Sequence, residues 1–119
     1  MFVNVSNHPS ELWLDKQKEC ALCYGDIVDV AFPAIHKDYD SNKYDELVEL
    51  YYERIMGICP DVVMVQGEFI FTYRLVCKLK VSGVRVVSAP SERICQEFKD
   101  ENNVIHKHSI FEFIDFVDY

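Results

Sequence analysis

The sequence predicts an α/β domain built on a doubly wound, mainly parallel sheet, and two observations carry that prediction. Four short apolar runs, Phe2-Val3-Asn4-Val5, Ile27-Val28-Asp29-Val30, Val62-Val63-Met64-Val65 and Val84-Arg85-Val86-Val87, alternate with longer stretches whose apolar residues recur every three to four positions. Strands alternating with helices produce that pattern. Directly after three of the runs stand polar, chemically capable clusters: Ser6-Asn7-His8-Pro9-Ser10, Gln66-Gly67-Glu68 and Ser88-Ala89-Pro90-Ser91-Glu92-Arg93. In a parallel sheet all three emerge at one carboxyl edge, where open α/β sheets bind ligands.

Residues 2–6 read as the first strand, bounded by the turn-like Asn7-His8-Pro9. A helix is expected from about Ser10, which suits an N-cap, with Trp13, Gln17, Cys20, Ala21 and Tyr24 at helical spacing and Gly25 as its stop. Gln17 on that stripe serves either a ligand or a backbone group beyond it, since a buried amide must be paired in any case. The second strand is Ile27 to Phe32, closed by Pro33, and Ala34 to Asn42 is a polar loop. Tyr44 to Ile58 is the second helix, with Leu47, Leu50, Tyr51, Ile55 and Ile58 toward the core.

Val62 to Val65 is apolar throughout, the mark of a central strand covered on both faces. The third helix runs from about Glu68 to Val81, with Phe69, Tyr73, Val76 and Cys77 at core spacing and Gly83 as its stop, and Val84 to Val87 follows as the fourth strand. From Arg93 the pattern changes. Arg93 to Lys99, a turn at Asp100-Glu101-Asn102-Asn103, and Val104 to Phe116 read as an antiparallel hairpin. Its tail sets Phe111, Phe113 and Phe116 on one face and acids on the other, a face suited to covering the sheet or meeting another subunit.

Right-handed crossovers with short connections favour the spatial order 2-1-3-4, a Rossmann-like sheet. In that order the chain reverses between strands one and three. The turns bearing His8 and Gln66-Gly67-Glu68 then flank one crevice, with Ser88, Ser91 and Arg93 beside it. The 119 residues read as one domain, a core of residues 1–92 with a hairpin at 93–119, long enough to bury roughly 60–70% of the unfolded surface.

Composition narrows the function. A formal charge of −8 argues against a long nucleic-acid partner, which needs many cations to neutralise phosphates. A small phosphate-bearing ligand stays compatible, because helix N-termini and one or two cations suffice for it. Cys20, Cys23, Cys59, Cys77 and Cys95 sit mostly in apolar surroundings and are expected as reduced, core-packed thiols. The Cys20-x-x-Cys23 spacing lacks the further ligands of a zinc site and the helix-start position of a redox pair. His36, His106 and His108 show no metal-ligand spacing, so neither a metal nor a cofactor is expected. The apolar runs fall well short of the ~20 residues of a spanning helix, so no membrane partner is expected and the cytoplasm is the expected location.

No G-x-G-x-x-G, P-loop or G-x-S-x-G motif occurs, which disfavours dinucleotide redox chemistry, P-loop hydrolysis and a serine elbow. Phosphate or nucleotide binding with metal-free acid/base chemistry survives. Ser6, Asn7, Ser10, Gln66, Gly67, Ser88, Ser91 and Arg93 are the candidate ligand-binding residues. Ser10 offers a helix start, Gly67 close backbone approach, and Arg93 a permanent guanidinium charge. Caps account equally for Ser10 and Ser91. His8 is the natural proton-transfer group near neutral pH, and Glu68 is a candidate base or hydroxyl acceptor, although a carboxylate at a helix start is also explained by the dipole.

The run Val5-Ser6-Asn7-His8-Pro9-Ser10, followed by Gln17 and by Tyr24-Gly25-Asp26-Ile27-Val28, resembles the opening of small CRISPR-associated Rossmann-like proteins of the ring-nuclease kind. An extra residue, Asn7, separates Ser6 from His8. The resemblance implies a CARF-like domain that binds a cyclic oligoadenylate messenger across a homodimer, in some members cleaving it without metal in antiviral defence. It maps Ser6, His8 and Ser10 to the ligand loop; Glu68 and Arg93 rest on topology alone. The expected chemistry is attack of a ribose 2′-hydroxyl on the neighbouring phosphorus, aided by orientation and by His8. The alternative is a non-enzymatic interaction module that uses Phe111, Phe113 and Phe116 to bind a protein partner.

Overall fold

The computed structural model describes the backbone of residues 1–119 and the side chains of all but residues 92–96 and 108–111. In chain order the elements are β1 (Phe2–Ser6), α1 (Asp15–Leu22), β2 (Ile27–Ala31), α2 (Ser41–Gly57), β3 (Val62–Gln66), α3 (Phe69–Val81), β4 (Arg85–Ser88), β5 (Ser91–Lys99), β6 (Ile105–Phe113) and β7 (Val117–Asp118). β1 pairs in parallel with both β2 and β3, and β3 in parallel with β4. The order is β2-β1-β3-β4-β7, the doubly wound 2-1-3-4 arrangement extended by an antiparallel edge strand.

The pleat sends alternate residues of the central strands to opposite faces. Val3, Val5, Val63 and Val65 pack under α2 and α3 with Tyr44, Val48, Ile55, Phe71, Leu75 and Leu79. Phe2, Val62 and Met64 face the other way, against Trp13, Ala21, Phe113 and Phe116. Both faces of β1 and β3 are therefore covered, which is why these runs are almost wholly apolar. No helix among the described residues is long and apolar enough to cross a membrane.

Several expected details differ. Ser10 does not cap α1: it opens a 3-10 turn, Ser10–Leu12, and α1 starts at Asp15. The reason is local, because the Ser10 backbone N–H and hydroxyl are both drawn to the Asp29 carboxylate on β2. On α2 the buried face is Tyr44, Val48 and Ile55, while Leu50 is 62% exposed. On α3 the buried residues include Phe71, Leu75, Val76 and Leu79, whereas Phe69, Tyr73 and Cys77 lie outside. That helix has two apolar stripes, and spacing alone does not say which one meets the sheet. Of the described thiols only Cys20, half-buried, packs against the core beside Ala21 and Phe2; Cys23, Cys59 and Cys77 are exposed, because they fall on the outer sides or ends of surface helices. Cys95 lies outside the described side chains.

The end of α3 follows a pattern legible in the sequence. Gly83 has φ of +83°, its N–H bonds the Lys80 carbonyl, and the Val84 N–H bonds the Leu79 carbonyl, the two bonds of a Schellman motif. A side chain at a left-handed position costs about 1–2 kcal/mol. Gly83→Ala is therefore expected to lower stability by about 1 kcal/mol or more in urea unfolding, whereas Gly57→Ala, at a helical position with open space around its Cβ, should be neutral or stabilising.

The hairpin starts at Ser91 and ends at Phe113, pairing Ser91 with Phe113 through to Lys99 with Ile105. β5 and β6 pair only with each other. The radius of gyration, 17.4 Å, exceeds the roughly 13–14 Å of a compact chain this long, because the two strands project as an arm. The final residues do not continue that arm. Phe113 and Phe116 turn inward, with the Phe116 ring 4.9 Å from Phe2 and 5.0 Å from Phe113, so of the two roles open to the tail aromatics these two take the one of covering the sheet. Phe111 lies outside the described side chains. β7 is clasped to β4 by Arg85, whose Nε lies 2.7 Å from Asp118 and whose guanidinium packs on Tyr24. That guanidinium holds the Asp118 carboxyl below the usual range.

Candidate functional site

The loop after β1 is fixed by a network rooted in the sheet. Asn4, only 1% exposed, sits opposite Asp29 in the β1–β2 register. Its Nδ2 donates to the His8 carbonyl at 2.9 Å and to Asp29 at 2.9 Å, and its Oδ1 accepts from the Ser6 hydroxyl at 2.7 Å. Ser6 Oγ in turn accepts from the His8 N–H. The Trp13 indole N–H closes the set on the His8 carbonyl at 3.0 Å. Buried polar groups demand partners. Here that demand fixes the backbone from which the His8 imidazole projects to the surface.

Beneath His8 lies a cavity of about 260 Å³, a little below the usual range for small-molecule sites. Ser6, His8, Gln66 and Ser91 line it, so turns from three distant segments converge, at the carboxyl ends of β1 and β3 where the winding reverses. The remaining wall is Leu12, Trp13, Leu14, Gln17, Met64, Ala89 and Phe113. Gln66 Oε1 accepts from the Ala89 N–H at 2.9 Å and the Ser88 hydroxyl at 3.2 Å, which leaves its Nε2 as the donor end. Among the described residues Gln17 reaches only the Met64 sulfur, at 3.9 Å, a weak acceptor for its amide. Ser88 supports Gln66 from behind and is not among the lining residues. Apart from His8, no described lining residue can carry a charge near neutral pH.

Other candidates go elsewhere. Ser10 offers nothing to a phosphate, since Asp29 occupies the place an anion would take, 3.1 Å from the Ser10 N–H and 3.0 Å from its hydroxyl. Asn7 lines a second recess of about 460 Å³ on the β2 side of β1, together with Ser6, Asp29 and Arg54. Gly67 is needed because a Cβ there would stand 2.4 Å from the Phe32 ring. Glu68 caps α3, its two oxygens accepting from the Ile70 and Phe71 N–H groups at 3.0 and 2.9 Å. It lies beside Tyr44 on the α2 and α3 side of the sheet, where burial and then the Glu68 charge push the Tyr44 phenol up. His8 and Glu68 therefore do not form an acid–base pair. The Arg93 side chain lies outside those described; its backbone pairs with Phe111, two positions beyond the Ser91–Phe113 pair at the cavity.

Sequence reading missed Trp13, Met64 and Phe113 as walls, and Asn4 and Asp29 as supports. The last two did leave a signal, as polar residues in the middle of apolar strands. Among the described residues, no three His, Cys, Asp or Glu side chains gather as a metal site. A largely apolar cavity lined by two amides, two serine hydroxyls and an imidazole suits a flat heterocycle whose edge carries donors and acceptors. A protein-family model described as the Uncharacterized protein MJ1673 family matches residues 1–117. None of the curated proteins matches the chain.

Proposed function

We propose that this chain, which belongs to the MJ1673 family, binds one adenine nucleotide unit of a cyclic oligoadenylate, with the base in the cavity under His8. The observation that carries the reading is the convergence of His8, Gln17, Gln66 and Ser91 on one apolar recess where the sheet's winding reverses. The amide of Gln66 and the weakly committed amide of Gln17 complement the alternating donors and acceptors of a purine edge, and Trp13, Met64 and Phe113 supply apolar surface. Phosphates stay at the mouth beside His8, because the described wall contains no Lys or Arg. The cyclic messenger, rather than a free nucleotide, and a role in cytoplasmic antiviral signalling are supported by the resemblance of residues 5–28 to the CRISPR-associated ring-nuclease kind.

Binding is favoured over turnover. A 2′-hydroxyl attack would form the O2′–P bond, break the P–O5′ bond, and move one proton off the nucleophile and one onto the leaving oxygen. Among the described lining residues, only His8 can exchange either proton. The test is thermal unfolding with cyclic tetra-adenylate in EDTA, alongside chromatography of the ligand. Stabilisation of about 2.7 kcal/mol is expected at 100 times the dissociation constant, with the ring recovered intact. Gln17→Leu should weaken binding roughly tenfold, about 1.4 kcal/mol, through one lost hydrogen bond. Linear products that vanish in His8→Ala would make the protein a metal-free nuclease; no stabilisation by any adenine nucleotide would overturn the reading.

A further inference from the structure

The outer side of α3 bears Phe69, Tyr73, Cys77 and Val81, four residues apart and therefore on one ridge of the helix. Phe69 is 89%, Tyr73 71% and Val81 90% exposed, and Ile70 extends the patch at one end. No charged side chain interrupts the row. The neighbouring cations are already turned aside: Arg74 to Asp45 and Lys78 to Glu49, both on α2, and Lys80 to the Tyr119 carbonyl. With each aromatic offering roughly 150–200 Å², the stripe amounts to about 500–600 Å² of uncharged surface, at the upper end of what a monomer leaves open.

We propose that this stripe is the interface between two copies of the chain, packed α3 against α3 in antiparallel sense about a two-fold axis. The order of side-chain sizes argues for a second copy rather than another protein. An antiparallel pairing centred on position 75 sets Phe69 against Val81 and Tyr73 against Cys77 of the other copy, and the reverse, so each large side chain meets a small one. An isologous interface requires self-complementarity of this kind. Two such faces would bury roughly 1,000–1,200 Å² in total, at the threshold of a specific association. Because α3 lies on the face of the sheet opposite the cavity under His8, pairing leaves both cavities open. The dimer and the ligand site are therefore independent, and failure of one does not touch the other.

The tests are solution mass and crosslinking. Light scattering at about 100 μM should give twice 13.9 kDa for the unmodified protein and a single-chain mass for Tyr73→Arg and for Phe69→Glu, both at exposed positions, with circular dichroism checking that the fold persists. A short bismaleimide should link two chains through Cys77, which lies about 6 Å along the helix from its counterpart in this register. Cys77→Ser should abolish the link, and Cys23→Ser and Cys59→Ser should retain it. A monomeric unmodified protein, or a dimer that survives Tyr73→Arg, would overturn the proposal, the latter by placing the contact elsewhere, for instance on the projecting arm.

Discussion

Phe116→Ala is expected to cost about 3–5 kcal/mol, the range for truncating a buried phenylalanine, and to release the carboxyl-terminal strand before the rest of the molecule unfolds. The ring lies between Phe2, which is fully buried, and Phe113, so its removal opens a void at the centre of the α1-side core. Beyond this ring, β7 is held by few contacts, among them the Tyr119 hydroxyl on the Val65 carbonyl and Lys80 on the Tyr119 carbonyl. It contributes two residue pairs to the sheet, Val87 with Asp118 and Ser88 with Val117. Its ion pair between Arg85 and Asp118 is substantially exposed on both sides and so adds little. Urea unfolding should report the large loss, and hydrogen exchange at the Tyr119 amide, which bonds the Val86 carbonyl, should rise sharply under native conditions. Asp118→Asn in the same assays should have a small effect. Equal effects of the two substitutions would mean that the ion pair and not the aromatic core anchors the strand.

The carboxyl-terminal tail also shows where sequence reading stops. The alternation of Phe111, Phe113 and Phe116 with acids was legible, and so was the choice between covering the sheet and meeting a partner. What decided it was a tertiary fact: Pro-free residues 114–116 leave the hairpin and carry Phe116 back to Phe2. The sheet order was readable for a different reason, since short connections and right-handed crossovers leave few alternatives once four strands and three helices are recognised. Helix phase was not. α3 has apolar residues on more than half its circumference, and the buried row was fixed by Glu68 capping the first turn and by Gly67 admitting Phe32 beneath it. The site was half legible by the same logic. Topology brought the turns of His8, Gln66 and Ser91 to one edge, but a residue at that edge still has two faces to choose between, and Glu68 took the one away from the cavity.

Asn4 carries the second large effect, on function as well as stability. Asn4→Ala, at a buried position, removes the partner of three groups at once: the His8 carbonyl, the solvent-exposed Asp29 carboxylate and the buried Ser6 hydroxyl. Trp13 still serves the His8 carbonyl and Ser10 still serves Asp29, so the loss is partial for those two. An unmade buried hydrogen bond costs about 1–3 kcal/mol, and the coupled set should lose about 2–4 kcal/mol in urea unfolding. Asn4→Asp, nearly the same shape, should be worse at neutral pH, because it sets a second carboxylate against Asp29 and replaces the donor that the His8 carbonyl needs. It should recover in part as acid protonates the pair. Ser6→Ala, which removes one arm of the network, should cost only about 1 kcal/mol. If the network exists to aim His8, then Asn4→Ala must weaken cyclic tetra-adenylate binding more than its thermal destabilisation accounts for, measured well below the melting transition. Unchanged affinity in a folded Asn4→Ala protein would separate the network from the site and leave it a purely architectural feature of the β1–β2 pair.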